Sequence, residues 1–305
     1  MLTALDREML RHVADLQEDP PGAFNIRKDG EGVEQRSAPG IEIRPKDNQR
    51  GIDVIVEPGA RGTVHIPVII TLTGITDKVF NTIEIGAGAD ILLVAGCGIH
   101  NPGHAEARHD GMHEIFIRQG ATLRYQEKHY GEGAGKGKRV LNPKTVLLVE
   151  EGAYAELELI QIRGVDDTIR DTVAKVEAKG KLAMFERLLT HGSQEARSDV
   201  VVDLLGEEST ARIISRSVAQ GRSKQLFQPR LVAHGPGRGH IECDSIIMDQ
   251  AVVRSIPEIW AENAGAELVH EATIGRIAGE QLIKLMTLGL SEEEAEEAII
   301  SGFLK

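Results

Sequence analysis

The stretch Glu151-Gly152-Ala153-Tyr154-Ala155-Glu156-Leu157-Glu158-Leu159 contains the pattern that decides the fold. It begins with a Gly-Ala corner and continues as a segment in which apolar and charged residues alternate. Such alternation predicts a β-strand with one buried face. Glycine supplies the backbone freedom that a tight corner needs, so the stretch predicts a turn followed at once by a strand.

The same corner recurs along most of the chain. Successive corner glycines are 26 to 33 residues apart, and strand patterns without helical patterns separate them. A period near thirty predicts a β-solenoid in which each repeat is one coil stacked on the last. A two-sheet sandwich of many strands is the structural alternative. The corner glycines are Gly59, Gly88, Gly120, Gly152, Gly180, Gly206, Gly239 and Gly265.

The amino-terminal sequence differs from the repeats. Residues 1–17 place Leu and Met side chains at helical spacing until Pro20-Pro21 ends the pattern, which predicts a short amphipathic helix. Residues 22–50 are polar and rich in Gly and Pro, which predicts a loop with short strands. Because the end coils of a solenoid leave strand edges open, we expect the amino-terminal helix to cap one end.

Helical patterns return after Gly275. Residues 279–289 predict a helix with Leu282, Ile283, Leu285 and Met286 as its apolar positions, and Ser291-Glu292-Glu293-Glu294 is a capping box that opens a second helix. These helices either pack on the solenoid or dock another protein. The expected domains are an amino-terminal helix with an irregular cap (1–50), a β-solenoid core (51–274) and a carboxy-terminal helical segment (275–305).

Composition restricts the class of protein. The 305 residues include 47 acidic and 35 basic side chains, a net charge of −12 that argues against a nucleic-acid binder. Two cysteines do not make a disulfide framework. No apolar run approaches membrane-spanning length, and charges occupy the positions where a signal peptide needs apolar residues. We therefore expect a cytoplasmic protein that does not bind membranes.

Cys97, His100, His104, His109 and His113 form the densest group of metal-binding side chain types in the sequence. Thiolate and imidazole are ligands of Zn and Fe, so these five residues are a candidate metal site. The alternative is a polar loop whose histidines bind no metal. No second cysteine pair accompanies them, so the match to a zinc finger is poor.

Three further features could carry chemistry. Cys243 is either a ligand or a small buried residue of a strand. His270 and Glu271 are neighbours, so on a strand they point to opposite faces. The segment Gly131 to Arg139 has Gly and Lys but lacks the Gly-Lys-Ser/Thr of a P-loop, so we expect a mobile surface loop and no bound nucleotide.

The carboxy-terminal motifs resemble those of a known family. His270-Glu271-Ala272-Thr273-Ile274-Gly275-Arg276-Ile277, then Gly279-Glu280-Gln281-Leu282 and Gly289-Leu290-Ser291-Glu292-Glu293-Glu294-Ala295, are similar to the signature of the SufB/SufD family, scaffold subunits of the SUF iron–sulfur cluster assembly machinery. The resemblance covers roughly residues 50 to 305 and suggests the short, minimal form of archaea and anaerobes. Upstream it includes Arg187-Leu188-Leu189-Thr190-His191-Gly192, Ser215-Arg216-Ser217-Val218 and Gly239-His240-Ile241-Glu242-Cys243-Asp244-Ser245.

The resemblance implies a mainly β protein with a right-handed parallel β-helix and helical ends. It also implies a transient iron–sulfur cluster, passed on to acceptor proteins, and a homodimer or heterodimer formed near the end of the β-helix. The terminal helices would dock a SufC-like ABC-type ATPase. The chain itself would then be no enzyme. The alternatives are a structural or regulatory partner of the ATPase without a cluster, and a β-helical carbohydrate-active enzyme, for which one Trp and three Tyr offer few aromatic platforms.

In the family, a Cys on a late strand and a Glu in the His-Glu-Ala segment are linked to cluster assembly. His270 and Glu271 match that segment, whereas alignment back from Pro257 puts Ala251 or Val252 at the place of the late-strand Cys. Cys243 is then the only thiol nearby. We therefore expect Cys243, His270 and Glu271 to bind the cluster, with the group around Cys97 as the competing site.

Overall fold

The chain is mainly β and forms a parallel β-helix, a solenoid of about eight turns, as the sequence predicts. The structure, a computed structural model, describes residues 2–16 and 20–305. In chain order the elements are α1 (Ala4–Ala14), β1 (Ala23–Lys28), β2 (Glu31–Arg36), β3 (Ile41–Pro45), β4 (Ile52–Val56), β5 (Arg61–His65), β6 (Val68–Ile70), β7 (Thr76–Ile85), β8 (Asp90–His100), β9 (Ala107–Ile117), β10 (Thr122–Glu132), β11 (Arg139–Leu141), β12 (Lys144–Val149), β13 (Tyr154–Arg163), β14 (Asp167–Val176), β15 (Lys181–Thr190), β16 (Glu195–Leu204), β17 (Thr210–Ala219), β18 (Lys224–Ala233), β19 (Arg238–Ile247), β20 (Val252–Ser255), β21 (Glu258–Ala261), β22 (Glu267–Gly275), α2 (Gly279–Thr287) and α3 (Glu292–Phe303).

Two sheets form the wall of the solenoid. The first has the order β2-β1-β5-β8-β10-β13-β15-β17-β19-β22, and the second β20-β18-β16-β14-β11-β9-β7-β4-β3. Thr122 pairs with Asp90 of the preceding coil and with Tyr154 of the following coil, each 32 residues away. Lys181 then follows Tyr154 by 27 residues and Thr210 follows Lys181 by 29, which confirms the period near thirty.

The repeat motif forms the predicted corner and a strand with one buried face. Ala155, Leu157 and Leu159 of β13 are buried in the main core cluster, while Glu156 and Glu158 face outward. Each coil therefore buries one face of its strands, and apolar burial of this kind contributes roughly 25 cal/mol per Å². At the corner, Gly152 has a φ of 66° and nothing lies where its Cβ would be. Glycine is favoured there by the left-handed backbone, since no neighbour crowds the position.

The amino-terminal helix does not cap the solenoid, contrary to the sequence-based expectation. It packs against the outer face of β8 and β10, where a Cβ on Gly96 would lie 1.9 Å from the carbonyl oxygen of Val13. The end is closed by strands, because β2 and β3 each pair antiparallel with the edge of a sheet. Residues 22–50 therefore contain more strand than the sequence predicts. Of the expected helix, residues 1 and 17 lie outside the described part of the chain.

The Gly-rich segment after β10 is packed against the preceding coil instead of forming a free surface loop. The amides of Gly135 and Gly137 donate to the carbonyls of Asn101 and Gly103 at 3.1 and 2.9 Å. A Cβ on Gly133, Gly135 or Gly137 would come within 2.4 Å of a backbone oxygen. These glycines allow two turns to stack backbone against backbone, so their role is close approach and not mobility.

The carboxy-terminal end is open. β22 pairs with β19 on one side only, and its backbone edge faces outward. The two predicted helices follow it, and the capping box of Ser291 and Glu294 is present. Lys305, two residues after α3, contacts the first sheet, since Arg187 Nη2 donates to its carbonyl at 3.0 Å. Among the described residues, no helix has the length and apolarity that a membrane span needs.

Candidate functional site

A line of inward-facing positions crosses the first sheet from coil to coil. Strand pairing places Glu127, Leu159, Glu186, Ser215 and Cys243 in succession along it. The next position, on the open edge strand, is Ala272 of the His-Glu-Ala segment. The interior of the solenoid thus carries polar side chains that lead toward its open end, although the surrounding positions are filled by Ile, Leu and Val.

Arg170 contacts two of the acidic side chains in the middle of this interior. It projects from β14 of the second sheet, hydrogen-bonds to Glu127 and lies 3.6 Å from Glu186. Tyr125 donates to Glu127 at 2.6 Å. His129 Nε2 is 3.1 Å from the same carboxylate but poorly aligned for a hydrogen bond. Burial would raise the pKa of Glu127, but the Arg170 guanidinium holds that pKa well below its usual range.

Cys243 lies on a small internal cavity, with room for about one water molecule. Burial raises the pKa of the Cys243 thiol to about 11. The nearby Ser255 hydroxyl partly opposes this rise, although its geometry falls short of a hydrogen bond. Three buried polar atoms on the cavity wall have no hydrogen-bond partner: Ser198 Oγ, Gln225 Oε1 and Ser255 Oγ. These atoms could hydrogen-bond to a small guest in the cavity.

The structure brings two of the three expected cluster ligands to one face. Cys243 is beside Ala272, and His270, two positions before Ala272, points inward on the same side. Glu271 pairs with Glu242 on the outer face, where its carboxylate lies 3.7 Å from His240 Nε2. Within one chain, Glu271 therefore does not meet the other two side chains.

The strand that pairs with the His-Glu-Ala segment is β19, which carries Cys243. Ala251 lies between strands, and Val252 begins β20 in the second sheet. Neither residue is on the strand beside His270. The thiol next to this segment is thus Cys243, eight or nine positions before the residues that sequence alignment suggests.

The five side chains of the competing candidate metal site, the group around Cys97, do not lie together in the structure. Cys97, His109 and His113 point into the solenoid from opposite sheets, and burial raises the pKa of the Cys97 thiol well above its usual value. His100 faces outward and contacts Glu132 at 3.1 Å, and His104 is exposed in a turn. Within residues 2–16 and 20–305, no three His, Cys, Asp or Glu side chains form a group that could hold a metal ion.

Sequence reasoning missed the charged residues of the interior. Glu127, Arg170 and Glu186 all occupy inward positions of alternating strands, where Leu or Val is usual. In β14, Thr168, Arg170 and Thr172 are buried while Ile169 is half exposed. The sequence does contain strands with polar residues at alternate positions. Recognising these residues as interior requires knowing which alternate set of each strand faces inward.

Comparisons with known proteins identify the family. A family model described as "SUF system FeS cluster assembly, SufBD core domain" matches residues 76–303. A SufBD family iron–sulfur cluster assembly protein of Archaeoglobus fulgidus is 31% identical over 257 residues, which are 81% of this chain and 66% of the relative. A relative from Pyrococcus horikoshii is 25% identical over 88% of this chain and 82% of its own length.

A similar protein from Synechocystis is 32% identical over 65% of this chain but only 43% of its own length. The chain thus spans just under two thirds of the Archaeoglobus relative and less than half of the Synechocystis relative. The family model covers most of the solenoid together with both carboxy-terminal helices. This chain therefore belongs to the SufBD family of iron–sulfur cluster assembly proteins.

Proposed function

We propose that this chain is a scaffold on which an iron–sulfur cluster is assembled and then passed to acceptor proteins, with an ABC-type ATPase supplying the energy. The observation that supports this most strongly is the position of Cys243, which lies beside the His-Glu-Ala segment at the open end of a polar interior. On this proposal the chain itself is not an enzyme.

The ligand chemistry suits a cluster that must be released. Cys243 supplies a thiolate and His270 an imidazole, and both are iron ligands. A site with a full set of four cysteines would hold a cluster more tightly. Because burial raises the pKa of the Cys243 thiol to about 11, iron binding must displace its proton. The thiol would therefore stay protonated until iron arrives.

A second subunit would complete the site. Trp260, Val269 and Ile274 are exposed apolar residues near the open edge of β22. An unpaired strand edge is a ready template for another chain, and a two-fold arrangement would place the same segment of each chain at the interface. Cys243 and His270 of the two chains would then lie close together. We propose a dimer with a second copy or a related scaffold subunit.

We expect Ile274→Pro to convert this dimer into monomers. The amide of Glu267 donates to Gly237 of the neighbouring coil, so alternation turns the amide of Ile274 toward the open edge. Proline removes that donor without removing a bond to β19. Light scattering at micromolar concentration measures the change. Ile274→Ala keeps the amide and should remain dimeric, and a monomeric wild-type chain would contradict the proposed self-pairing.

The carboxy-terminal helices are the proposed ATPase contact. On and just after α2, Ile283 is 62% exposed, Met286 43% and Leu288 80%. Apolar side chains this exposed are typical of an interaction surface, and the acidic start of α3 gives it a charged rim. Within the described residues these three side chains remain exposed. The contact of Lys305 with Arg187 lies at the other end of the segment.

Deleting residues 279–305 should leave a folded solenoid that no longer co-purifies with the ATPase, because the apolar contact area is lost. The milder double change Ile283→Glu and Met286→Glu should have the same effect, since both side chains are exposed. Leu72→Glu is the matched control, because Leu72 is also an exposed apolar residue but lies far along the chain. Co-purification measures the result, and a complex that survives the deletion would overturn this assignment.

A further inference from the structure

Two histidines of the solenoid interior approach one point. His109, Gly111 and His113 occupy alternate, inward positions of β9. The point that a Cβ of residue 111 would occupy is 2.9 Å from His109 Nε2 and 3.7 Å from His113 Nε2. Because Gly111 has no side chain, both imidazole nitrogens reach the same small space.

The hydrogen bonds of the two rings fix which nitrogen carries the proton. His109 Nδ1 lies 3.1 Å from Asp77 Oδ2, and a carboxylate can only accept, so Nδ1 is the donor. His113 Nδ1 lies 3.2 Å from the Tyr125 hydroxyl, which gives its own proton to Glu127. The hydroxyl oxygen therefore accepts from His113 Nδ1. In the neutral rings, both Nε2 atoms then carry a free lone pair.

The lone pair of His109 Nε2 lacks a donor within the part of the chain that the structure describes. His109 is only 3% exposed, and its Nε2 has no hydrogen-bond partner among the described residues. A buried polar atom without a partner costs roughly 1–3 kcal/mol, so an occupant that accepts its lone pair would be favoured. The pairing of His109 with Asp77 is the arrangement that orients metal-binding histidines in proteins.

We propose that His109 and His113 bind a first-row divalent metal ion through their Nε2 atoms, with water completing its coordination. Imidazole nitrogen suits such ions. Two protein ligands leave open positions, so the ion would exchange readily. Asp77 also contacts Arg27 at 2.8 Å and approaches Arg50, which is largely exposed, so these contacts connect the buried His109 to the surface. This site lies far from Cys243 and does not depend on the proposed cluster.

The test uses anaerobic titration with Co²⁺ of the full chain carrying Cys97→Ser and Cys243→Ser, which removes both thiols of the sequence. We expect one bound equivalent that gives a visible ligand-field absorption and raises the melting temperature. His109→Asn and His113→Asn should each weaken that equivalent at least tenfold. Gly111→Ala should weaken it too, because the new methyl group would displace the His109 ring.

His100→Asn and His234→Asn are the controls, since these histidines pair with Glu132 and Glu262 outside the interior. Both should keep the Co²⁺ equivalent. Circular dichroism establishes that each variant is folded, and Gly111→Ala tests the site without removing a ligand. Unchanged Co²⁺ affinity in folded His109→Asn, His113→Asn and Gly111→Ala would overturn the proposal. So would a thiol-free chain that binds no Co²⁺, whatever the outcome of the cluster experiments.

Discussion

Replacing Cys243 by Ser is expected to abolish the iron–sulfur chromophore that the chain forms on anaerobic reconstitution, whereas Cys97→Ser should keep it. Cys243 lies beside the His-Glu-Ala segment, at the end where we propose that a second chain contributes ligands. Cys97 lies inside the solenoid, away from that end, and no group of three possible ligands surrounds it among the described residues. Visible absorption together with iron and sulfide content measures the difference.

The two single-thiol variants are matched controls for each other, because both cysteines are buried and the chain has only these two. Loss of the chromophore in Cys97→Ser alone would show that the cluster is bound near Cys97, toward the other end of the interior. If both variants keep full iron and sulfide content, neither thiol binds the cluster. The cluster would then be bound by other side chains, and the assignment of Cys243 as its ligand would be wrong.

Arg170→Met should lower the free energy of unfolding by about 3–5 kcal/mol, because it leaves Glu127 as a buried charge without its partner. Arg197→Met is the matched control. Arg197 is on the strand next to Arg170, but it faces outward, is half exposed and pairs with Asp199. An exposed pair of this kind contributes about 0–1 kcal/mol. Denaturant unfolding of both variants measures the two effects, and equal losses would contradict the assigned network.

The same network predicts the response to acid. The pKa of Glu127 is held well below its usual value in the folded chain, so the unfolded chain binds a proton at higher pH than the folded chain does. This contribution to stability is complete above the pKa of an ordinary carboxyl group and is lost as the pH falls toward the folded value. Glu127→Gln should therefore flatten the acid side of the stability curve, and an unchanged curve would contradict the ion pair.

The coil repeat could be predicted because its signals are local. In Glu151-Gly152-Ala153, the corner and the strand that follows lie within a few residues, and the same pattern returns at each coil. The position of α1 could not be predicted in this way. Its apolar stripe indicates a helix, but its packing against β8 depends on Gly96, which is distant in sequence and gives no helical signal.

The residues that share a candidate site also could not be predicted from sequence alone. His100 and His104 are close to His109 in sequence, yet strand phase and a turn place them outside the solenoid. Cys243 and Ala272 are 29 residues apart, yet they are neighbours because β20 and β21 form the intervening side of the coil. Sequence identifies which residue types can bind iron. Only the register of the coils determines which of them share a face.

The most direct test of the proposed function is the iron and acid-labile sulfide content of the wild-type chain, purified anaerobically together with the proposed ABC-type ATPase partner. A cluster scaffold predicts iron and sulfide in nearly equal amounts, both lost on transfer to an acceptor protein. Iron without sulfide would be a bound metal ion and not a cluster. A complex that contains neither, even after reconstitution, would contradict the scaffold function.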